Sequence, residues 1–201
     1  VGFPADRVIF VTFGGAEEDM IAGGDAAKGT YAVGHVRPGK DVPLVQEILK
    51  VVYGAGKGNF GSDTTRVGTM YYNRGVAAAV NWIEAMRIAQ EKFGKVGKAI
   101  TGEEFRWGYE HLDFTSKTRR DFYGIEGLIP PFKVTCDDHE GGEKFLMMQW
   151  NGEKYEIVRD WMGPDDPELI DKLEKESALK YAQENNMPVR DCKDWEPWAW
   201  K

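Results

Sequence analysis

The order of strand-like and helix-like segments is the feature of this sequence that most limits its fold. An apolar, β-branched run at residues 7–13 leads to Gly14-Gly15, which predicts a buried strand followed by a turn. A helix is predicted over residues 16–27, because it opens with carboxylates that suit the positive end of a helix dipole. Residues 30–36 alternate as a second strand. This strand–helix–strand unit predicts a parallel pair of strands and the α/β class.

Helical periodicity continues through the middle of the chain. Asp41 is predicted to cap a helix over residues 42–52, and Thr101 with Glu104 forms a capping box for another. The longest helical pattern covers residues 72–93 and should lie against the core. Its predicted core-facing positions are Val76, Ala79, Val80, Ile83, Met86, Ala89 and Phe93, and its predicted solvent-facing positions are Asn81, Glu84, Arg87 and Glu91.

The clearest antiparallel signal lies further along. Residues 144–150 and 153–161 are strand-like, and Asn151-Gly152 between them is the dipeptide favoured in a two-residue type I′ turn. Residues 132–136 are a further strand candidate. Asp166 and Pro167 predict the start of a helix that ends at about residue 185. A hairpin followed by a helical extension is therefore expected.

Charge and hydropathy exclude several classes of protein. The chain carries 26 Lys and Arg against 33 Asp and Glu, and its net charge of −7 disfavours attraction to nucleic acid or anionic lipid. No apolar run reaches the roughly 18 residues that a membrane-spanning helix needs. No secretion signal is visible, so either the protein is cytosolic or the sequence begins inside a longer precursor. A small molecule or another protein is the expected partner.

Two further patterns have chemical interpretations. Residues 54–61 are rich in glycine but lack the Lys-Ser/Thr ending of a phosphate loop, so a plain loop is predicted. Asp137, Asp138, His139 and Glu140 have metal-ligand chemistry, although consecutive residues of one turn cannot all face one ion. A solvated turn is the simpler interpretation. A metal-assisted hydrolase is kept as an alternative, without a recognisable nucleophile or paired carboxylate to accompany it.

The order of these elements resembles the second half of type I periplasmic binding proteins, in particular the leucine/isoleucine/valine- and amide-binding family. The matching residues lie at 8–11, at 21–29 (IAGGDAAKG), at 71–76 (YYNRGV) with 83–87, and at 149–152. The stretch at 24–29 (GDAAKG) is the most specific of them. Their order and spacing, over about residues 5–162, carry the resemblance.

The resemblance implies two α/β lobes, each a three-layer sandwich, that are joined by crossing strands and hold a ligand between them. Residues 1–36 would form part of the second lobe, 37–135 part of the first, 136–162 a hairpin returning to the second, and 163–201 an extension. The first half of such a protein would be absent, so these residues alone should bind ligand weakly or not at all. Exposed strand edges and apolar faces would then favour self-association.

For function, the resemblance implies a periplasmic component of an ABC importer, which captures a branched-chain amino acid, an amide or a similar small polar solute. It would present this solute to a membrane permease, and it would be neither an enzyme nor dependent on a cofactor. A disulfide between Cys136 and Cys192 is allowed in that oxidising compartment, whereas their number alone also fits two free thiols. A ligand sensor with the same fold is the other alternative.

Ligand contacts are expected where the first strand ends. Leucine-type binders carry a carboxylate there for the ammonium group of the ligand, whereas Thr12, Phe13, Gly14 and Gly15 supply none. An amide, a urea-like molecule or an organic acid is then as plausible as an amino acid. The carboxyl end of a parallel strand, beside a helix N-terminus, suits a ligand cleft. A simple turn with Phe13 in the core is the alternative.

Three other residues are candidate ligand contacts. His35 lies near the expected crossing between lobes. Tyr71 and Tyr72 precede the long helix and offer both rings and hydroxyls, as binding clefts often do. A structural role for the histidine and core packing for the two tyrosines are the alternatives.

Overall fold

A mixed four-stranded sheet organises the part of the chain that the structure describes. The computed structural model describes residues 2–10, 15–193 and 195, with the side chains of all but Ala5 and Phe10. Thr12, Phe13, Gly14, Trp198 and Trp200 therefore lie outside the described residues. The strands, in sheet order, are β1 (Ile9–Phe10), β2 (Tyr31–Gly34), β3 (Phe145–Trp150) and β4 (Tyr155–Met162).

Six α-helices lie outside the sheet in the described part of the chain. They are α1 (Glu17–Gly23), α2 (Pro43–Ile48), α3 (Met70–Lys92), α4 (Gly102–Tyr109), α5 (Lys117–Phe122) and α6 (Pro167–Glu184). Short 3₁₀ turns at Ala5–Arg7 and Gly24–Ala27 and a π-type turn at Leu49–Tyr53 complete the order. Among these described helices, none combines the length and apolar character that crossing a membrane requires.

The predicted strand–helix–strand unit and hairpin are both confirmed. β1 and β2 pair in parallel across α1, with Ile9 opposite Tyr31. β3 pairs antiparallel with both β2 and β4. Alternate residues of β3, Leu146, Met148 and Trp150, are buried, as a half-exposed antiparallel strand requires. The class is therefore mixed α/β with a small sheet.

The predicted two-residue hairpin turn is wrong. Trp150 pairs with Tyr155, so the loop comprises residues 151–154. The side-chain oxygen of Asn151 accepts hydrogen bonds from the backbone nitrogens of Glu153 and Lys154, each at 2.9 Å. These two bonds stabilise a longer loop, because the asparagine side chain replaces backbone pairing at its centre.

Two other local predictions are also wrong. Helix α2 begins after Val42 and not after Asp41, with Pro43 supplying the fixed φ of its first turn. The strand predicted over residues 132–136 is reduced, among the described residues, to an isolated bridge between Asp113 and Lys133. The stretch around residues 112–114 that runs beside this segment is short, and the backbone nitrogen of Lys133 bonds Gly141 on the other side, so regular pairing does not extend.

Buried side chains form two separate hydrophobic cores. The first lies between the helices and contains Val36, Val42, Val45, Val67, Ala77, Val80, Ala85, Leu112, Phe114, Ile125, Leu128, Ile129 and Val134. The second lies against the sheet and contains Ala16, Met20, Ala32, Met70, Leu146, Met148, Trp150 and Tyr155. Helix α3 joins them, because Met70 at its start packs in the second core and Ala77, Val80 and Ala85 pack in the first.

The predicted core face of α3 is partly wrong. Ile83, Met86 and Phe93 are exposed by 53%, 40% and 40%, whereas Glu84, predicted to face solvent, is fully buried. Glu84 is buried because Arg87 and Tyr123 bond its carboxylate and neutralise the cost of removing it from water. Val80 and Ala89 are buried as predicted, so a pattern based on hydrophobicity alone places only part of the buried face of α3 correctly.

The predicted disulfide between Cys136 and Cys192 is confirmed. It joins residues 56 positions apart, with their Cα atoms 5.9 Å from each other. One cysteine follows the bridge at Lys133, and the other lies beyond α6. The disulfide therefore fastens the C-terminal extension to the body of the protein.

Gly108 allows α3 and α4 to pack closely. A Cβ atom at this position would lie 2.1 Å from the carbonyl oxygen of Ala85, which is backbone and cannot move aside. We expect Gly108→Ala to lower the free energy of unfolding by at least about 1–3 kcal/mol in urea denaturation. Gly75→Ala, in α3 with open space at its Cβ, is the matched control and should be neutral or up to ~1 kcal/mol stabilising. Equal stability of the two variants would contradict this account of the helix contact.

Candidate functional site

The carboxylate of Asp19 connects the start of α1 to the start of α3. Its Oδ2 accepts hydrogen bonds from the backbone nitrogens of Gly15 (2.8 Å) and Ala16 (3.1 Å) and from the hydroxyl of Tyr71 (2.8 Å). Asp19 occupies the third position of α1, where a side chain reaches back to the helix start. The Tyr71 hydroxyl and then the two backbone donors lower the pKa of Asp19, although its partial desolvation opposes them.

The other two carboxylates of α1 also hold α3. Glu17 is 8% exposed and accepts a hydrogen bond from the backbone nitrogen of Met70 at 2.7 Å. Burial raises the pKa of Glu17, with that hydrogen bond partly offsetting it. Glu18 accepts a hydrogen bond from the hydroxyl of Thr69 at 2.8 Å. The acidic first turn of α1 is therefore engaged in fixing α3, although Oε2 of Glu18 is buried without a hydrogen-bond partner among the described residues.

A cavity of about 230 Å³ opens beside the end of β2. Its apolar floor consists of Val36, Ala77, Ile129, Pro130 and Phe132, which lie between the helices of the first core. Its polar lining consists of His35, Arg74, Asn81, Glu140 and Lys144. We call this space the His35 cavity. An apolar floor with a few charged and amide groups around it is the usual composition of a small-molecule site.

Two of its polar groups have properties suited to ligand binding. The side-chain oxygen of Asn81 is buried and accepts no hydrogen bond from any residue that the structure describes. A buried oxygen without a hydrogen bond costs free energy, so this acceptor favours a ligand that donates a hydrogen bond to it. His35 is exposed to solvent. Even so, partial desolvation of its ring by neighbouring atoms and, secondarily, the charge of Arg74 lower its pKa. His35 is therefore neutral at neutral pH.

Arg74 lies between the His35 cavity and the residues bonded to Asp19, which are Gly15, Ala16 and Tyr71. Its guanidinium is 5.5 Å from the centre of the Tyr71 ring, and one of its nitrogens lies 3.2 Å from the sulfur of Met70. It also lines the cavity. The position of this cation is consequently set by the same residues that join α1 to α3.

The candidate ligand residues fall in three places. Gly15 and Tyr71 meet through Asp19, and His35 lies in the cavity on the other side of Arg74. Tyr72 lines an apolar groove with Leu44, Ile48 and Val76, and Tyr71 borders the same groove. Burial and a hydrogen bond with Tyr53 raise the pKa of Tyr72 to about 12. Of the described candidates, Tyr72 is thus the one placed with core packing.

Sequence reasoning missed Arg74, Asn81, Glu140 and Lys144 as cavity residues. Arg74 and Asn81 are seven positions apart on α3, which places them on one side of the helix with Ala77 and Ala78 between them. This seven-residue spacing is visible in the sequence and indicates that the two polar side chains share one side of the helix. Glu140 and Lys144 come from a turn distant in sequence, and their approach depends on the tertiary fold.

The acidic turn at residues 137–140 does not form a metal centre. Asp138 Oδ1 accepts hydrogen bonds from the backbone nitrogens of Glu140 and Gly141, at 3.0 and 2.9 Å. His139 Nε2 lies 3.2 Å from Glu110. Throughout the described part of the chain, no three His, Cys, Asp or Glu side chains are arranged to hold a metal ion. The metal-ligand hypothesis for this turn therefore has no geometric support.

Comparison with solved structures finds matches over most of the chain. A crystal structure described as an ABC transporter permease, from the Pseudomonas fluorescens group, is 34% identical to this chain. The match has a TM-score of 0.83 and covers 96% of this chain and 45% of that protein. A branched-chain amino acid ABC transporter from Thermus thermophilus with bound valine is 19% identical, with a TM-score of 0.59 over 83% and 41%. An ABC transporter substrate-binding protein from Aeropyrum pernix is 14% identical, with a TM-score of 0.54 over 78% and 38%.

This chain therefore spans less than half the length of each of these proteins. The two matches at lower identity show that this chain shares its fold with part of each of those proteins. No protein-family model and no curated protein sequence matches the chain.

Proposed function

Since the chain is a structural match to the substrate-binding proteins of ABC transporters, including branched-chain amino acid binders, we propose that it takes part in reversible capture of a small polar solute. The proposed site is the His35 cavity and the surface that extends from it past Arg74 to Tyr71. Capture needs no chemistry on the solute. It requires a cleft that encloses the solute and releases it when the lobes open.

The observation that carries the proposal is the charge arrangement of the His35 cavity. Arg74 and Lys144 offer two cations for a carboxylate or an amide oxygen. Glu140 and the unpaired oxygen of Asn81 offer acceptors for an ammonium or amide N–H. The apolar floor suits an aliphatic side chain. A branched-chain amino acid or an aliphatic amide fits this combination, and the protein from Thermus thermophilus was crystallised with valine.

The two hydrophobic cores support a division into two lobes. Every buried residue of the first core except Val36 lies within 37–135, the range proposed for the first lobe. The second core, apart from Met70, draws on residues within 1–36 and 136–162, proposed for the second lobe and its hairpin. Residues 35–37 connect the two cores along the chain, and Val36 among them packs in the first core. A hinge at this point would open and close a cleft beside the His35 cavity.

The proposed partners follow from this role. A membrane permease of an ABC importer would receive the solute, and a periplasmic location accords with the Cys136–Cys192 disulfide.

Self-association is also proposed, because α3 exposes a large apolar face. Trp82, Ile83, Met86 and Phe93 of that helix are 60%, 53%, 40% and 40% exposed. Contiguous apolar surface of this kind favours contact with another protein surface.

A titration followed by ¹⁵N NMR tests ligand capture. L-leucine added up to about 10 mM should shift the amide signals of Arg74 and Glu140 and the side-chain amide of Asn81, with a Kd of roughly 1 mM or weaker. Weak binding is expected because the chain spans less than half of each matched structure. Arg74→Gln should weaken binding at least about tenfold, since it removes a charged partner of the carboxylate.

Three comparisons sharpen this titration. Arg159→Gln removes an exposed arginine on β4 and should leave the Kd unchanged. Leucinamide lacks the carboxylate and 4-methylpentanoate lacks the ammonium group, so their relative affinities separate amino acid, amide and organic acid ligands. Shifts confined to residues outside the cavity, or no shifts at these concentrations for any of the three compounds, would contradict the proposed function.

A further inference from the structure

The end of the C-terminal extension returns to the body of the protein at α4. Arg190 makes a two-pronged ion pair with Glu110, in which Nη2 lies 2.8 Å from Oε2 and Nη1 contacts Oε1. The ring nitrogen of Trp195 donates a hydrogen bond to the backbone oxygen of Glu110 at 3.2 Å. Cys192, between them, is bonded to Cys136. We call the described part of this segment, residues 186–193 and 195, the C-terminal clamp.

Stacked rings reinforce the contact. His111 lies between Trp107 and Trp195, with its ring centre 3.7 Å from the first and 4.6 Å from the second. His111 is 4% exposed and Glu110 is 2% exposed. Burial tends to raise the pKa of Glu110, but Arg190, Arg106 and His139 together outweigh it and hold that pKa below its usual range. The clamp therefore closes on a buried, charged carboxylate.

Helix α6 does not itself hold the extension in place. All of its residues are described, and none is buried. Asp171, Glu174, Lys175 and Ala178 border a gap whose opposite side is formed by residues 137–140. Carboxylates lie on both sides of this gap, so electrostatic attraction between α6 and the turn is weak. The extension is consequently fastened by its clamp and by its connection to β4.

The clamp acts on the same turn that forms one wall of the His35 cavity. Cys136 begins this turn, and His139 shares the carboxylate of Glu110 with Arg190. Glu140 and Gly142, which follow directly, line the cavity. The disulfide and the Glu110 cluster thus hold the turn from two points on its outer side, while its inner side faces the space for a ligand.

We propose that the C-terminal clamp positions residues 136–142 as a wall of the His35 cavity, with Arg190 and Trp195 as positioning residues that need not touch a ligand. The effect on a ligand rests on the proposed function, whereas the hold on the turn does not. Loss of the clamp frees the turn to move outward and carries Glu140 away from Arg74 and Asn81.

Amide hydrogen exchange tests the hold on the turn. The backbone nitrogen of Thr135 donates to Asp138 at 2.8 Å, and that of Gly141 donates to the Asp138 side chain at 2.9 Å. Arg190→Ala should accelerate exchange at these two amides about tenfold or more, because the local opening that permits exchange becomes easier. The double variant Cys136→Ser/Cys192→Ser should have the same effect. Lys180→Ala, an exposed residue of α6 that pairs with Glu184 and lies outside the clamp, is the control and should leave exchange unchanged.

A second readout separates positioning from general destabilisation. With L-leucine present, Arg190→Ala should abolish the ligand-induced shift at Glu140 while the shift at Asn81 and exchange within α3 are retained. Unchanged exchange at Thr135 and Gly141 in both the Arg190 and the cysteine variants would overturn the proposal. If the unaltered chain shows no leucine-induced shifts, the proposed function fails, and the exchange comparison alone decides whether the clamp holds the turn.

Discussion

Glu84→Ala is expected to destabilise the protein by about 3–5 kcal/mol, the range observed when one partner of a buried ion pair is removed. The carboxylate is fully buried, and its oxygens lie 2.6 Å from Arg87 and 3.8 Å from Arg119. Arg119 is 4% exposed, so the substitution leaves a buried guanidinium without this neighbouring charge. Tyr123 also loses the acceptor of its hydroxyl.

Urea denaturation of the variant and of a matched control measures this effect. Glu91 lies two turns along the same helix, also pairs with Arg87, and is 42% exposed. Glu91→Ala should cost no more than about 0.5 kcal/mol, because an exposed pair on a helix contributes little. If the two variants lose similar stability, burial of the Glu84 carboxylate beside Arg87 and Arg119 does not stabilise the fold as we infer.

Removal of the disulfide is expected to lower the free energy of unfolding by up to about 4 kcal/mol. The bond closes a loop between residues 56 positions apart, which restricts the unfolded chain. Cys136→Ser/Cys192→Ser should show this loss in urea denaturation. The unaltered protein treated with a phosphine reductant should show it too, and the double variant should not respond to the reductant. A loss below about 1 kcal/mol would contradict a structural role for the disulfide.

Local signals in the sequence identified most elements of the fold. Thr101 and Glu104 form the predicted capping box, in which the side chain of each residue accepts a hydrogen bond from the backbone nitrogen of the other. Asp166 accepts a hydrogen bond from the backbone nitrogen of Leu169, and Pro167 follows at the first helical position, as predicted. Such motifs depend on a few neighbouring residues and can be recognised without tertiary information.

Features that depend on distant partners could not be predicted in the same way. Glu84 was assigned to solvent, because its burial requires Arg119 and Tyr123 from a different helix. The segment at 132–136 has the composition of a strand, yet its neighbour at 112–114 is too short to extend a sheet. In both cases, the tertiary partner decides the outcome and the intrinsic propensity does not.

The candidate site shows the same division. The sequence predicts His35 as a ligand contact because it lies near the expected crossing between lobes, and His35 does line the cavity. Tyr71 was chosen for its ring and hydroxyl, but its hydroxyl is bound to Asp19. Asn81 looked like an ordinary surface residue of α3, and its unpaired oxygen became evident only in three dimensions. Residue type indicates what a side chain can bind, whereas the fold decides what remains available for a ligand.

We propose that a small polar solute with an aliphatic side chain enters the His35 cavity, and intermolecular nuclear Overhauser effects measure this directly. With ¹³C-labelled L-leucine at about 10 mM, the account predicts contacts from the leucine methyl groups to the methyl groups of Val36 and Ala77 on the cavity floor. Contacts instead to Ile48 and Val76, which line the separate groove beside Tyr72, would contradict it, as would the absence of any contact to the cavity floor.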